Sequence, residues 1–132
     1  MTAVQQRNVL DGTLKVSLRL DGDSRVVAFA GELDLANAGT ADAELAAALD
    51  PATARVVIDL AELEFIDSTG IALLVRAWQR LDGEPGDGVG ENGGFALCGL
   101  NDQVRRLLEL SGLSNSLSIH PSREEALAAL GG

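Results

Sequence analysis

The chain has 132 residues, of which 46% are hydrophobic and 23% are charged, a balance typical of one compact domain with its own core. Its formal net charge of −10 disfavours duplex nucleic acid and anionic membrane surfaces as partners. The single cysteine, Cys98, excludes an internal disulfide and cysteine-rich zinc sites. No apolar run approaches the ~20 residues of a membrane span, and residues 1–11 are too polar for a signal peptide, so we expect a cytoplasmic protein.

The first half of the chain predicts a hairpin, a helix and a central strand. Residues 14–20 alternate apolar and polar side chains, residues 21–24 are turn formers, and residues 25–30 read as the second strand of the hairpin. Residues 35–49 are rich in alanine at helical spacing, which predicts a helix. Residues 55–60 are apolar without alternation, so we expect a central strand that is covered on both faces.

The second half predicts three more helices and two strands around one loop. Ile71, Leu74, Val75 and Trp78 repeat at helical spacing, so a helix is expected from Ser68 to about Leu81. Six glycines and Pro85 in residues 82–94 predict a loop. The remaining predicted elements are a strand at 95–98, a helix capped by Asn101 or Asp102 and ended by Gly112, a strand at 117–119, and a helix from the capping box at 122–125 through Leu130.

The predicted order is ββαβαβαβα, an α/β domain with a mixed, mostly parallel sheet of about five strands. Strand–helix–strand crossovers are right-handed, so if successive strands add in one direction, the helices are expected mainly on one face of the sheet. Residues 1–13 are assigned to an N-terminal extension and residues 14–132 to the domain, with 82–94 as its glycine-rich loop.

Several candidate active sites fail on spacing or context. Residues 88–93 match a dinucleotide fingerprint, but they precede a strand instead of following one, so no nucleotide cofactor is expected. His120 is the only histidine, and we interpret it as a surface or capping residue. Cys98 lies in an apolar strand and is interpreted as an inert core thiol.

A group of carboxylates follows the central strand and invites a metal or phospho-aspartate interpretation. Its spacing does not fit an EF-hand, and Lys15, the only lysine, lies in the first strand, far from where a receiver domain needs one. We therefore interpret the group as a solvated acidic turn and expect no metal. Its members are Asp59, Glu62, Glu64 and Asp67.

The segment Phe65–Gly70 lies between a buried strand and an amphipathic helix. Asp67 or Ser68 is suited to cap that helix, a role worth about 1 kcal/mol. The two hydroxyls of Ser68 and Thr69 and the glycine at Gly70 also stand at the carboxyl end of a strand, where open α/β sheets usually place their functional surface. From the residues alone, a structural cap and a functional site remain equally open.

In this segment and three others, the sequence resembles the STAS domain family, specifically the bacterial anti-sigma factor antagonists. The resemblance covers about residues 14–130. The four matching segments are Gly31–Leu35, Val56–Leu60, Phe65–Gly70 and Val104–Leu113.

The resemblance implies a non-catalytic partner-switching protein. Such an antagonist binds an anti-sigma factor, a serine protein kinase, and so frees a sigma factor for transcription regulation. The kinase then phosphorylates the antagonist, here on Ser68, and a phosphatase reverses the modification. The same resemblance places Asp67, Thr69, Gly70, Gly31, Glu32 and Asp34 at or near the partner-binding surface.

Other functions remain open at this point. STAS domains also serve as stressosome subunits or as partners of a transport ATPase, and a homodimer is compatible with the sequence. A serine hydrolase that uses Ser68 is the alternative from a different class, although the Gly-x-Ser-x-Gly elbow is incomplete here.

Overall fold

The computed structural model describes residues 6–21, 24–48, 55–82, 94–110, 112 and 118–130. Within these ranges, six strands and four helices follow one another along the chain. In chain order they are β1 (Gln6–Asp11), β2 (Leu14–Asp21), β3 (Ser24–Leu33), α1 (Ala38–Ala48), β4 (Arg55–Ile66), α2 (Ser68–Asp82), β5 (Gly94–Cys98), α3 (Asp102–Leu110), β6 (Ser118–His120) and α4 (Arg123–Ala129).

The strands form one mixed sheet whose spatial order equals their order in the chain, β1-β2-β3-β4-β5-β6. The pairs β1–β2 and β2–β3 are antiparallel, whereas β3–β4, β4–β5 and β5–β6 are parallel. The predicted hairpin and the mostly parallel remainder are therefore confirmed, although Gly22 and Asp23 of the hairpin turn lie outside the described residues.

One strand was missing from the sequence-based prediction. Gln6–Asp11, within the predicted extension, forms β1 and pairs with β2 over its whole length, from Gln6 opposite Arg19 to Asp11 opposite Leu14. Its sequence, QRNVLD, has only two apolar residues and they are adjacent, so period-2 alternation cannot reveal it. The sheet has six strands instead of about five.

The helices lie mainly on one face of the sheet, as predicted. Helices α1, α2 and α3 contribute Leu45, Leu74 and Leu108 to the larger core cluster, which includes Phe29 and Ile58 from the sheet. Helix α4 covers the other face with a smaller cluster, formed by Ala126 together with Val26, Val57, Ala96 and Cys98. Strands β4 and β5 are thus buried from both sides, which explains their uninterrupted apolar sequence.

Two capping predictions are confirmed by hydrogen bonds. Asn101, and not Asp102, caps α3, because its Oδ1 accepts from Val104 N–H at 2.9 Å. Ser122 Oγ accepts from Glu125 N–H at 3.2 Å, as the capping box requires at the start of α4.

Helix α1 begins three residues later than its periodicity predicts, at Ala38 instead of Leu35. Asn37 causes the delay. Its Oδ1 accepts from Asp34 N–H at 3.0 Å, and its Nδ2 donates to the carbonyl of Glu32 at 2.9 Å, so residues 34–37 form a turn. The 83–93 part of the predicted glycine-rich loop lies outside the described residues.

Candidate functional site

The carboxyl ends of β3 and β4 bring the predicted site residues to one edge of the sheet. The two strands are parallel neighbours, with Glu32 opposite Phe65 and Leu33 opposite Ile66. The backbone N–H of Asp67 donates to the carbonyl of Leu33 at 3.2 Å, which ties the following turns together. We call residues 31–37 and 65–70 the Ser68 edge; it contains all seven predicted site residues: Gly31, Glu32, Asp34, Asp67, Ser68, Thr69 and Gly70.

Asp67, and not Ser68, caps helix α2. Its Oδ1 accepts from Gly70 N–H at 3.1 Å, and its carbonyl accepts the first helical bond from Ile71 N–H at 3.0 Å. Ser68 is therefore the first residue inside the helix and its side chain is not needed for capping. It is exposed, so its hydroxyl is accessible at the positive end of the α2 dipole.

The two residues after Ser68 are more enclosed. Thr69 is half-buried and Gly70 is buried. A Cβ at Gly70 would lie 2.5 Å from Ile66 Cγ1 and 3.0 Å from Leu33 Cγ, so only glycine fits without a shift of these core side chains. Gly70 therefore allows close packing between the start of α2 and the ends of β3 and β4.

Glycine is required at position 31 because the turn between β1 and β2 passes close to its Cα. Its φ is +96°, and a Cβ there would lie 1.9 Å from the carbonyl oxygen of Thr13, between β1 and β2. An L side chain would meet both backbone strain and a backbone clash. Next to it, Thr13 Oγ1 donates to Glu32 Oε1 at 3.3 Å. The turn between β1 and β2 therefore adjoins the Ser68 edge.

The turn after β3 is held by hydrogen bonds from both of its ends. Asn37 is buried and bonds to the backbone of Asp34 and Glu32, as described above. Asp34 Oδ1 in turn accepts from Ala36 N–H at 3.0 Å. Leu35, between these anchors, is 76% exposed.

Two apolar side chains of the Ser68 edge were not predicted as site residues. Leu35 is exposed, and Phe65, the second-last residue of β4, is 39% exposed. Both belong to the motif segments that carry the family resemblance, but an apolar residue in a motif is ordinarily assigned to the core. Only the burial of each side chain separates them from neighbours such as Leu33 and Ile66, which are fully covered.

The Ser68 edge is acidic. Glu32, Asp34 and Asp67 contribute three carboxylates, at the end of β3 and in the two turns that follow β3 and β4. The salt bridges Arg76–Asp42 and Arg123–Asp59 lie elsewhere in the described part of the chain. These three carboxylates therefore form no salt bridge with a described cationic side chain.

The interpretation of one solvated acidic turn was wrong. Asp59, Glu62 and Glu64 all lie within β4, which continues to Ile66, and Asp67 alone follows it. The strand runs on because a bulge, where Ala28 pairs with Asp59 and Ala30 with Glu62, preserves its pairing with β3. The group is spread along a strand and does not converge on one point.

Asp59 has a structural role at that bulge. One carboxylate oxygen accepts from Ala61 N–H at 2.9 Å, and the other lies 2.9 Å from a terminal guanidinium nitrogen of Arg123. Arg123 Nε donates to the same oxygen at 3.0 Å. Since Arg123 is the first residue of α4, this pair joins the helix to the bulged strand.

Cys98 is a buried core thiol, as predicted. Burial, reinforced by the neighbouring charge of Asp59, raises the pKa of Cys98 to about 12. The thiol therefore stays protonated and unreactive at physiological pH.

His120 does not come near Ser68. It is a half-buried residue of β6, and its Nε2 shares a 2.7 Å hydrogen bond with Ser118 Oγ. His120 pairs with Cys98 of β5, which pairs with Asp59 of β4, so His120 and Asp59 lie at the same height in the sheet. Two strand spacings, about 10 Å, and seven residues along β4, about 20 Å, separate it from Ser68. A Ser-His pair for hydrolysis is not assembled, because such a pair needs hydrogen-bond contact.

Within the described ranges there is no group of three or more metal-ligating side chains. None of the helices described for this chain is both long and apolar enough to cross a bilayer.

Proteins of similar sequence identify the family of this chain. The sequence model of the STAS domain family matches residues 15–126. A Bordetella bronchiseptica protein that bears the name of an anti-sigma factor antagonist, BtrV, is 34% identical over 84% of this chain and 89% of its own length.

Solved structures show the same fold. An anti-sigma-factor antagonist (STAS) domain protein from Planctomyces limnophilus superposes with a TM-score of 0.76 at 25% identity, covering 89% of this chain and 98% of that one. An anti-sigma factor antagonist from Mycobacterium paratuberculosis gives a TM-score of 0.77 at 24% identity, covering 90% and 95% of the two chains.

Proposed function

This chain belongs to the STAS domain family, and we propose that it is an anti-sigma factor antagonist that binds its anti-sigma factor through the Ser68 edge. The partner is a serine protein kinase that sequesters a sigma factor. Binding of the unmodified antagonist frees the sigma factor, and phosphorylation of Ser68 ends that binding. The observation that carries the proposal is the exposed Ser68 at the start of α2, beside the turn after β3.

The hydroxyl of Ser68 is the acceptor best suited to a kinase. Phosphoryl transfer forms a bond between Ser68 Oγ and the γ-phosphorus of ATP, breaks the bond to the β-phosphate, releases ADP and removes the hydroxyl proton. Ser68 is exposed, whereas Thr69 is half-buried and β-branched, so its oxygen is harder to align with a nucleotide. Hydrolysis of the phosphoserine by a phosphatase restores the free hydroxyl.

Phosphorylation disrupts the interface without unfolding the domain. A phosphate adds about −1.5 to −2 charge to an edge that already contains Glu32, Asp34 and Asp67. The start of α2 accommodates this charge, because helix N-termini favour anions. A kinase surface matched to a neutral hydroxyl must desolvate the phosphate without a prepared partner, and affinity falls.

Phosphosite mapping tests this proposal. The full chain is co-purified with its anti-sigma factor from the native cell, the recovered kinase is purified, and the two are incubated with ATP. We expect one phosphate on Ser68 by peptide mass spectrometry and no incorporation in Ser68→Ala. A phosphate on Thr69, labelling that persists in Ser68→Ala, or failure to recover any anti-sigma factor would refute the proposal.

A further inference from the structure

Four large hydrophobic side chains of the described residues are exposed: Leu10, Leu35, Phe65 and Leu110. Single exposed leucines are common and need no explanation. Leu35 and Phe65, however, both lie on the Ser68 edge, Leu35 in the turn after β3 and Phe65 at the end of β4. Exposed apolar side chains that are grouped on a surface and rimmed by charge are typical of protein–protein contact sites.

The local structure fixes the backbone that carries both side chains. Leu35 projects from a four-residue turn that is closed by Asp34 Oδ1 and by the buried amide of Asn37. Phe65 lies on β4, opposite Glu32 in the parallel register with β3. A backbone segment that is ordered before binding loses little conformational entropy when a partner covers it, so its contacts contribute more affinity than those of a mobile segment.

We propose that Leu35 and Phe65 are the apolar anchors by which the anti-sigma factor kinase is held at Ser68. This inference rests on the proposed function and names the contacts that supply its affinity. Interface energy is concentrated in a few residues that a partner packs tightly and desolvates near the centre of the contact, and the polar rim adds specificity and association rate. The partner surface that fits has an apolar pocket for these two side chains, and lysine or arginine side chains around it face Glu32 and Asp34.

The arrangement also accounts for how a single modification abolishes binding. Ser68 lies on the same edge as both anchors, so a partner that covers Leu35 and Phe65 would also cover a phosphate on Ser68. Charge is tolerated poorly in such surroundings because it must be desolvated. Phosphate on a polar, solvated rim would be screened and would have a smaller effect.

Alanine substitutions with a matched leucine control test the inference. Leu35→Ala and Phe65→Ala are titrated against the purified kinase by calorimetry, together with wild type and Leu110→Ala. Leu110 is 78% exposed, as Leu35 is at 76%, but it ends α3, nine residues along a helix that leads away from this edge of the sheet. We expect at least a tenfold rise in Kd for each variant of the Ser68 edge and less than a twofold change for Leu110→Ala.

Leu35→Ser keeps the inference testable if Phe65→Ala does not fold. The side chain of Leu35 is 76% exposed and contributes little to the core, so this variant should fold. Its thermal melt should match that of wild type while its Kd rises at least as much as that of Leu35→Ala. Wild-type affinity of both Leu35 variants and of folded Phe65→Ala, with Ser68→Asp still impaired, would overturn this inference alone. Absence of kinase binding by wild type would overturn the proposed function and this inference together.

The salt dependence of binding distinguishes the contribution of the apolar anchors from that of the acidic rim formed by Glu32 and Asp34. Raising ionic strength screens exposed charges, so the association rate of wild type should fall with salt, and that dependence should weaken in Glu32→Gln. The fold-change in Kd caused by Leu35→Ala should be the same at low and high salt. A Leu35→Ala effect that disappears at high salt would show an electrostatic origin and contradict an apolar anchor.

Discussion

Asp59 and Asp67 lie eight residues apart on and after the same strand, yet they have opposite surroundings. Asp59 is held by Arg123 and by the backbone of Ala61, and its side chain is only 13% exposed. Asp67 has no cationic partner among the described residues and caps α2 at the accessible edge of the sheet. The first aspartate joins two elements of the fold, whereas the second leaves the adjoining surface available to a partner.

This contrast separates a structural face of the sheet from an interaction edge. The face under α4 is closed by Arg123, Asp59 and the buried Cys98, so its polar groups are used within the molecule. The Ser68 edge exposes the side chains of Glu32 and Ser68 and two apolar side chains, on a backbone that is fixed by hydrogen bonds. A rigid turn with exposed side chains is the arrangement expected of a docking surface.

Gly31→Ala is expected to reduce the free energy of unfolding more than the other substitutions on the Ser68 edge. The added Cβ would meet the Thr13 carbonyl at 1.9 Å at a φ of +96°, so strain and close contact should together cost about 3 kcal/mol. Urea unfolding measures the loss. Gly12→Ala is the control, because Gly12 also has a positive φ, of +60°, but nothing within 4 Å, and it should lose only about 1 kcal/mol. Equal losses would show that the Thr13 contact contributes nothing.

A paired substitution addresses the two aspartates directly. Asp59→Ala removes a hydrogen-bonded ion pair of low exposure and the bond to Ala61, and should cost about 2 kcal/mol. Asp67→Ala removes one helix cap and should cost about 1 kcal/mol. Asp59→Ala should leave Ser68 phosphorylation unchanged in the folded protein. The reverse order of stability losses in urea unfolding would contradict the roles assigned here.

The fold was largely predictable from the sequence because hydrophobic periodicity is strong wherever an element covers the core. Alternation in β2, the apolar run of β4 and the helical spacing of Ile71, Leu74 and Trp78 each identified an element. Periodicity fails where side chains face solvent. Strand β1 and the second half of β4, with Glu62 and Glu64 exposed, could not be recognised in this way.

The residues of the proposed site were named from the family resemblance and not from hydrophobic periodicity. The structure brings Gly31–Asp34 and Asp67–Gly70 to one edge because β3 and β4 are parallel neighbours. Asp67 and Ser68 are both good capping types, and the choice depends on where the chain leaves β4, which the bond to the Leu33 carbonyl determines. The exposure of Leu35 depends on Asn37, whose bonds delay α1.

The smallest expected effect concerns Cys98 on the structural face. Its pKa is raised to about 12 by burial and by Asp59, whereas in the unfolded chain it is near 9.0. Below pH 9 the thiol is protonated in both states and contributes no pH dependence. Above that value the unfolded chain ionises first, so the stability of the folded state falls as pH rises towards about 12.

Urea unfolding of wild type and Cys98→Ala at about pH 8 and about pH 10 measures this effect. Wild type should lose more stability than the variant between the two values. Parallel losses in both proteins would mean that the thiol is not protected from ionisation in the folded state.

The central claim is that the hydroxyl of Ser68 stands inside the interface with the anti-sigma factor kinase while the helix is capped by Asp67. Calorimetric titration of Ser68→Asp, Ser68→Ala and wild type against the kinase, with thermal melts of each, tests it most directly. Both variants should melt within a few degrees of wild type, because neither removes the cap. Ser68→Ala should bind like wild type, and Ser68→Asp should bind about a hundredfold more weakly, since its carboxylate must be desolvated without a partner. Equal affinity of folded Ser68→Asp and wild type would remove Ser68 from the interface and contradict the account.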